Sequence, residues 1–341
     1  MEELSDSDGK PPPFNVVILF NLIDDPNPDD LDVAGGESVK RMRRGLEDLG
    51  YEVQLAAVAN DVDAAVRNFD PHKDIIFNWC EGLWDDPNAF DAVPPALEKC
   101  GFVYTGADSW CLAATQDKAW AKRELLANRV STPLSNIFES PELNGWDRYP
   151  AFVKPAAEHS SLGIDKDSIV DTSQQLKERI EYVLDTYNGP VLVEDFIDGA
   201  EYNVSLWGNG TLKVQPLTVM DYSMFEDYHD RLCSFDAKWD SDADIYHFAT
   251  VKCPAPVDAE LQARIEETAK GAYKALHMRD YGRIDIRVRD GKPYVLDVNS
   301  NPDISRDAGF CRSARVAGFD YGRAISQVLQ FASERQPQLQ R

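Results

Sequence analysis

The first third of the chain alternates short apolar runs with amphipathic stretches. FNVVILF, residues 14–20, is apolar almost throughout, as in a strand buried on both faces. ESVKRMRRGLEDLG then places Val39, Met42, Leu46 and Leu49 at helical spacing, and Gly50 marks the stop. YEVQLAAV, a short helical piece over 64–69, DIIFNWCEG, a helix near VPPALEKCG and the strand FVYTG continue the alternation. This β-α-β-α-β order predicts a small doubly wound sheet over residues 14–112.

Beyond it the pattern becomes mixed. TQDKAWAKRELLANR reads as a helix with Thr115 as N-cap candidate, and YPAFVKPAAEHSSLGI as a strand, a polar turn and a second strand. Residues 173–186 are helical in period and PVLVEDF is a strand, so 113–195 forms an α+β lobe. A second lobe, 196–335, holds a hairpin turning at Asn209-Gly210, an acidic loop, a long helix over 258–276, another hairpin and two closing helices.

At 341 residues, 43% hydrophobic and 28% charged, the chain suits a globular protein of two or three units. Its formal net charge of −24 argues against nucleic acid or an anionic membrane as partner, since both demand basic stripes. Six cysteines with no C-x-x-C pair fit a reducing cytoplasm, and no apolar run is long enough to span a bilayer. The acidic, Pro-rich residues 1–13 read as a disordered tail rather than a signal peptide.

YGRIDIRVRDGKPYVLDVNSN raises the chemical question. Ile284, Ile286 and Val288 share one face of the first strand, and Tyr294, Leu296 and Val298 one face of the second. Matching those faces opposes Ile284 to Val298, Ile286 to Leu296 and Val288 to Tyr294. The register requires an odd-numbered connection around Asp290-Gly291-Lys292, a three-residue turn rather than two. On the other face Asp285 then meets Asp297, and Arg283 meets Asn299. Opposed carboxylates repel. Two of them with an amide oxygen make a hard donor set for Mg2+, which takes further oxygens from water and phosphate. The alternative is an exposed face charged for solubility. Lys154, ending the strand AFVK before a polar turn with Ser160, Ser161 and Gly163, and Lys118, in the first turn of its helix, are candidate phosphate partners. No P-loop or G-x-G-x-x-G motif occurs. GGES, residues 35–38, opens a helix whose N–H groups, beside Glu37, could receive a carboxylate.

YPAFVKPAAEHSSLGI, PVLVEDFIDGAEYNV, RIDIRV and YVLDVNSNPDIS, in this order, resemble ATP-grasp ligases of the D-alanine–D-alanine ligase branch, and DIIFNWCEG and EKCGFVYTGAD extend the match into the first domain. The resemblance implies an α/β and α+β architecture: an ATP-grasp fold preceded by a doubly wound, Rossmann-like pre-ATP-grasp domain. It implies ATP with Mg2+ or Mn2+, small-molecule carboxylate and amine substrates, and dimers through the N-terminal domain. Glu194, Asp195, Phe196 and Ile197 would form the hinge against adenine, and Glu201 would hold the ribose. Lys118, Lys154 and Ser160 would hold phosphates. Asp285, Asp297 and Asn299 would bind the metal, with Arg283, Ser161 and Lys238 of the lid-like SFDAKWD at the transferring phosphoryl group.

Three departures concern the substrates. Asp303 follows Pro302 where dipeptide-forming members have glycine, Trp239 replaces a lid tyrosine, and Lys40 stands in place of a glutamate that receives an amino group. With Ser305 and Glu37 these positions make up the candidate substrate set. The expectation is a carboxylate–amine ligase acting on an amino acid or small metabolite other than D-alanine. D-alanine–D-alanine ligation proper, a kinase, or a non-catalytic nucleotide-binding protein are the alternatives.

Overall fold

The computed structural model describes residues 13–22, 30–83, 85–86, 89–143, 145–157, 162–187, 189–222, 225–232 and 250–336. Strands β1 (Asn15–Asn21), β2 (Val53–Val58), β3 (Asp74–Trp79) and β4 (Val103–Tyr104) form a parallel sheet in the order β2-β1-β3-β4. The five central residues of β1 are buried, because helices cover both faces. The helix Gly36–Glu47 buries Val39, Met42 and Leu46 against it. The helix Tyr321–Ser333 returns from the chain's far end to the same core, where Gly322 and Gly45 bring the two helix backbones together and the Tyr51 and Ser326 hydroxyls lie 2.8 Å apart.

A second sheet contains β5 (Ser135–Phe138), β6 (Ala151–Pro155), β7 (Ile169–Val170) and β8 (Val191–Asp195), antiparallel in the order β5-β8-β6-β7. The helix Ser173–Tyr187 covers it with Leu176, Ile180 and Val183. The strand expected within SSLGI begins later, at Ile169. Asp165 and Ser168 exchange side-chain and backbone hydrogen bonds across a short 3-10 turn, Lys166–Ser168, which bends the chain before pairing starts. The helix expected to start at Thr115 is also divided. Asp117 caps the helix Lys118–Ala127, accepting from Ala119 and Trp120 N–H. Thr115 lies in the last turn of the preceding helix, Ser109–Gln116, its hydroxyl donating to Cys111 O at 2.8 Å.

The third sheet runs β12-β11-β9-β13-β14, with β10 beside β9. Its strands are β9 (Glu201–Trp207), β10 (Lys213–Val214), β11 (Thr218–Asp221), β12 (Thr250–Lys252), β13 (Tyr281–Arg289) and β14 (Lys292–Asn299), packed on the helix Ala259–Ala275. The β13–β14 register has Arg283 opposite Asn299, Ile284 opposite Val298 and Asp285 opposite Asp297. Beyond that point it departs from the sequence expectation. Asp290 and Gly291, both at positive φ, make a two-residue turn, and the extra residue is a bulge beside Asp285 and Ile286. Ile286 therefore meets Val295, Arg287 meets Tyr294 and Val288 meets Pro293. Pro293, Val295 and Val298 are buried, while Tyr294 and Leu296 are only partly so. An odd offset was required, and the strand supplies it instead of the turn.

Asp280, fully buried just before β13, ties the sheets together. It receives Arg335 at 2.6 and 2.8 Å, the Gly106 N–H at 2.8 Å and Asn209 at 3.1 Å. The five described cysteines are free thiols. Among the described residues no helix is long and apolar enough to cross a membrane. Asp280→Ala should lower the free energy of unfolding by about 3 kcal/mol, because it leaves partners unpaired and puts alanine at φ 63°. Asp280→Asn should cost less, and urea denaturation of the two variants measures the difference.

Candidate functional site

The ends of β6 and β8 face β9, β13 and β14 across a cavity of about 860 Å3, closed at one end by the tip of β3 and by the segment 300–312. Period two along β13 sends Arg283, Asp285 and Arg287 to the cavity side, while Ile284 and Ile286 go to the core. Lys154, at the end of the fully buried β6, and Glu194, at the end of β8, enter from the opposite sheet.

Asp285 and Asp297 are opposed as the hairpin register predicts, with Asn299 beside them. Arg283 and two carboxamides compensate the Asp285 carboxylate here. Arg283 donates at 2.8 and 3.0 Å, Asn203 at 2.8 Å and Asn299 at 3.1 Å. Among the described residues no three His, Cys, Asp or Glu side chains converge as a metal cluster; beside Asp285 and Asp297 the Asn299 carboxamide would offer a further oxygen. Two carboxylates and a carboxamide, all opening on one polar cavity, fit Mg2+. They would hold it against phosphate oxygens, where it neutralises charge on a transferring phosphoryl group.

The hinge segment is tightly built. The ideal Cβ position of Gly199 would lie 1.9 Å from Val288 O, so only glycine lets 196–200 press against β13. Arg289 holds Asp195 at 2.7 Å and the Phe196 carbonyl at 3.1 Å. Buried Arg287 binds Glu201 at 3.0 Å and the Ile197 carbonyl at 3.2 Å, with its guanidinium 5.3 Å from the Phe196 ring centre. Phe152, Phe196, Leu232 and Ile164 give this end an apolar lining suited to a planar base. Glu194 lies between two buried ammonium groups, Lys154 at 2.9 Å and Lys122 at 2.7 Å. Burial works against its charge, but the two lysines outweigh that and hold the carboxyl below its ordinary value.

The cavity thus gathers Lys118, Lys154, Glu194, Asp195, Phe196, Ile197, Glu201, Arg283, Asp285, Asp297, Asn299, Asp303 and Ser305. It does not take in Glu37 or Lys40. They pair with each other at 3.7 Å on the helix Gly36–Glu47, and Ser38 is the residue of that turn that reaches the wall. The helix turns its apolar stripe to the sheet, which leaves positions 37 and 40 to one side. Ser160, Ser161, Lys238 and Trp239 lie outside the described residues. Sequence reasoning missed Lys122, Asn203, Arg287, Glu81 and Arg312. Lys122 follows Lys118 by one helical turn, and Arg287 continues the alternation of Arg283 and Asp285, so both carried a signal. Glu81 and Arg312 reach the wall only through the packing of distant segments. Loss of hydration, then the charge of Asp303, push the Glu81 carboxyl above its ordinary value. Burial pushes the neighbouring Cys80 thiol up to about 12.

The family model described as "D-ala D-ala ligase C-terminus" matches residues 131–330. A D-alanine–D-alanine ligase of Glaesserella parasuis is 33% identical, over 87% of this chain and 92% of its own. The D-alanine–D-alanine ligase of Bacillus anthracis, solved in complex with ATP, superposes with a TM-score of 0.70 at 20% identity, over 95% of this chain and 99% of that one. The VanG D-Ala:D-Ser ligase of Enterococcus faecalis gives 0.69 at 20% identity, over 94% and 99%. The chain belongs to the D-alanine–D-alanine ligase-like branch of the ATP-grasp superfamily. Its fold is an ATP-grasp fold preceded by a doubly wound domain, and it is an ADP-forming carbon–nitrogen ligase working with ATP and Mg2+.

The depressed Glu194 carboxyl has a definite pH signature. Its stabilisation is present above the unfolded glutamate value of about 4.3 and is lost as pH falls through the lower folded value. The difference in melting temperature between the wild type and Glu194→Gln should be largest near neutrality. It should shrink as pH falls below about 4.

Proposed function

We propose that the protein joins two D-alanine molecules, or closely similar amino acids, through an acyl phosphate. The observation that carries the reading is one cavity in which the opposed Asp285 and Asp297, Asn299 and Arg283 face Lys154 and an apolar slot. The apolar slot and the hinge backbone at 195–197 receive adenine. Lys154 and Lys118 draw in the phosphates, and Glu201, which Arg287 holds on the wall, takes a ribose hydroxyl. With the triphosphate fixed, the first carboxylate attacks the γ-phosphorus and ADP leaves. Arg283, on the cavity wall, would counter the negative charge that grows on the equatorial oxygens. The second amine then attacks the acyl carbon, forming the C–N bond and releasing inorganic phosphate. A carboxylate resists attack because oxide leaves badly; phosphate leaves readily.

The names of the relatives support D-alanine as substrate over the wider range of acids expected from sequence. A second reading, ligation to a different amine, is favoured by one observation. Asp303 and Glu81 both stand on the wall at the β3 end, giving that end two carboxylates that attract a cationic acceptor.

ADP and phosphate should appear together only when acid, amine and Mg2+ are all present, and 18O from the acid should enter the phosphate. D-alanine as sole amino acid should support turnover. Failure with D-alanine, alongside turnover with another acid–amine pair, selects the second reading. Asp297→Ala should reduce ADP release at least about a thousandfold; a metal-dependent rate left near wild type would remove the metal assignment.

A further inference from the structure

Lys122 is not a wall residue of the cavity, yet it touches the charge balance of that wall. Its side chain is 6% exposed, and its ammonium lies 2.7 Å from Oε2 of Glu194. That contact is off the line of a good hydrogen bond, so the attraction is chiefly Coulombic. The ammonium hydrogens go elsewhere, to the Thr132 hydroxyl at 2.8 Å and the Pro133 carbonyl at 3.2 Å. Thr132 in turn donates to Val295 O at 2.8 Å, which anchors the group to β14. Lys154 approaches the other oxygen of Glu194 at 2.9 Å, and these two side chains do face the cavity.

Without Lys122, Lys154 and Glu194 would form a closed, neutral, buried pair. The attraction between buried opposite charges is strong, and a phosphate would have to compete with Glu194 for the Lys154 ammonium. Burial, opposed by the charge of Glu194, brings the Lys122 ammonium below its ordinary value; while it holds its proton, the three groups carry one net positive charge. Lys122 lies on the far side, fixed by Thr132 and Pro133, so the uncompensated charge falls on the cavity side.

We propose that Lys122 is a positioning residue for the nucleotide: it neutralises Glu194 from behind and thereby leaves the charge of Lys154 available to the phosphates. The inference rests on the reading that this cavity takes ATP with Lys154 on a phosphate. It distinguishes two kinds of ligand, since phosphate-bearing nucleotides depend on Lys122 and the bare nucleoside does not. It also makes the effect of Lys122 conditional on the Glu194 charge.

The test is calorimetric titration of Mg-ATP, ADP and adenosine into the full-length protein. Lys122→Gln keeps a donor for Thr132 and removes the charge. It should weaken ATP and ADP by about tenfold, the order expected for losing a charge-assisted contact, and change adenosine by less than about twofold. In a Glu194→Gln background the same substitution should change ATP affinity by less than about threefold. Lys122→Arg should hold ATP affinity near wild type. Should Lys122→Gln fail to fold, Lys122→Met and Lys122→Met/Glu194→Gln carry the same expectations. Equal losses for ATP and adenosine, or a loss that persists without the Glu194 charge, would reduce Lys122 to a core cation and overturn the inference. Unchanged ATP affinity in Lys122→Gln overturns it alone, whereas a wild-type protein that binds no ATP overturns the nucleotide reading and this inference with it.

Discussion

Two carboxylates held opposite each other on paired strands repel unless positive charge or hydrogen-bond donors are brought to them, and much of the structure follows from that constraint. Asp285 and Asp297 occupy such a position, and their neighbours are chosen accordingly. Arg283 lies two residues from Asp285 on the same strand face, and Asn203 from the adjacent β9 and Asn299 from β14 add amide hydrogens.

The same principle recurs elsewhere on the wall. Across the cavity Glu194 is buried between two lysines, and on the β9–β13 side Glu201 is held by buried Arg287. A chain of net charge −24 thereby encloses a cavity whose wall sets Lys118, Lys154, Arg283, Arg287 and Arg312 among carboxylates that include Glu194, Glu201, Asp285 and Asp297. Bulk charge governs what approaches from solution, while the local set governs what stays. The apolar slot of Phe152 and Phe196 beside these cations completes a surface for a molecule that is flat at one end and anionic at the other.

The alternating runs of the first third were enough to predict a parallel sheet, because strands covered on both faces leave an unbroken apolar signature. The apolar faces of the last hairpin were enough to oppose Asp285 to Asp297. They could not say where the odd residue would go. A turn of Asp290-Gly291 tolerates positive φ at both places, so the tight turn was kept and the bulge moved into the strand. Thr115 was a plausible cap by type, but Asp117 sits where two N–H groups converge. Lys40 was placed by matching the glycines of GGES to the family, and Glu37 by its place in that motif; neither shows which side of the helix a sheet will claim.

By itself, the sequence determined the strand and helix periods, the shared face of Arg283, Asp285, Asp297 and Asn299 on β13 and β14, and the motifs that place the chain among ATP-grasp ligases. These are local properties, set by side-chain direction within one or two elements. Tertiary structure alone decided that Lys122, Glu194 and Lys154 share one buried charge balance, that Asp280 joins distant segments through Arg335, and that Glu81 and Asp303 meet at one end of the cavity. Those groupings depend on how three sheets pack, and Coulomb attraction acts on distance in space rather than separation along the chain.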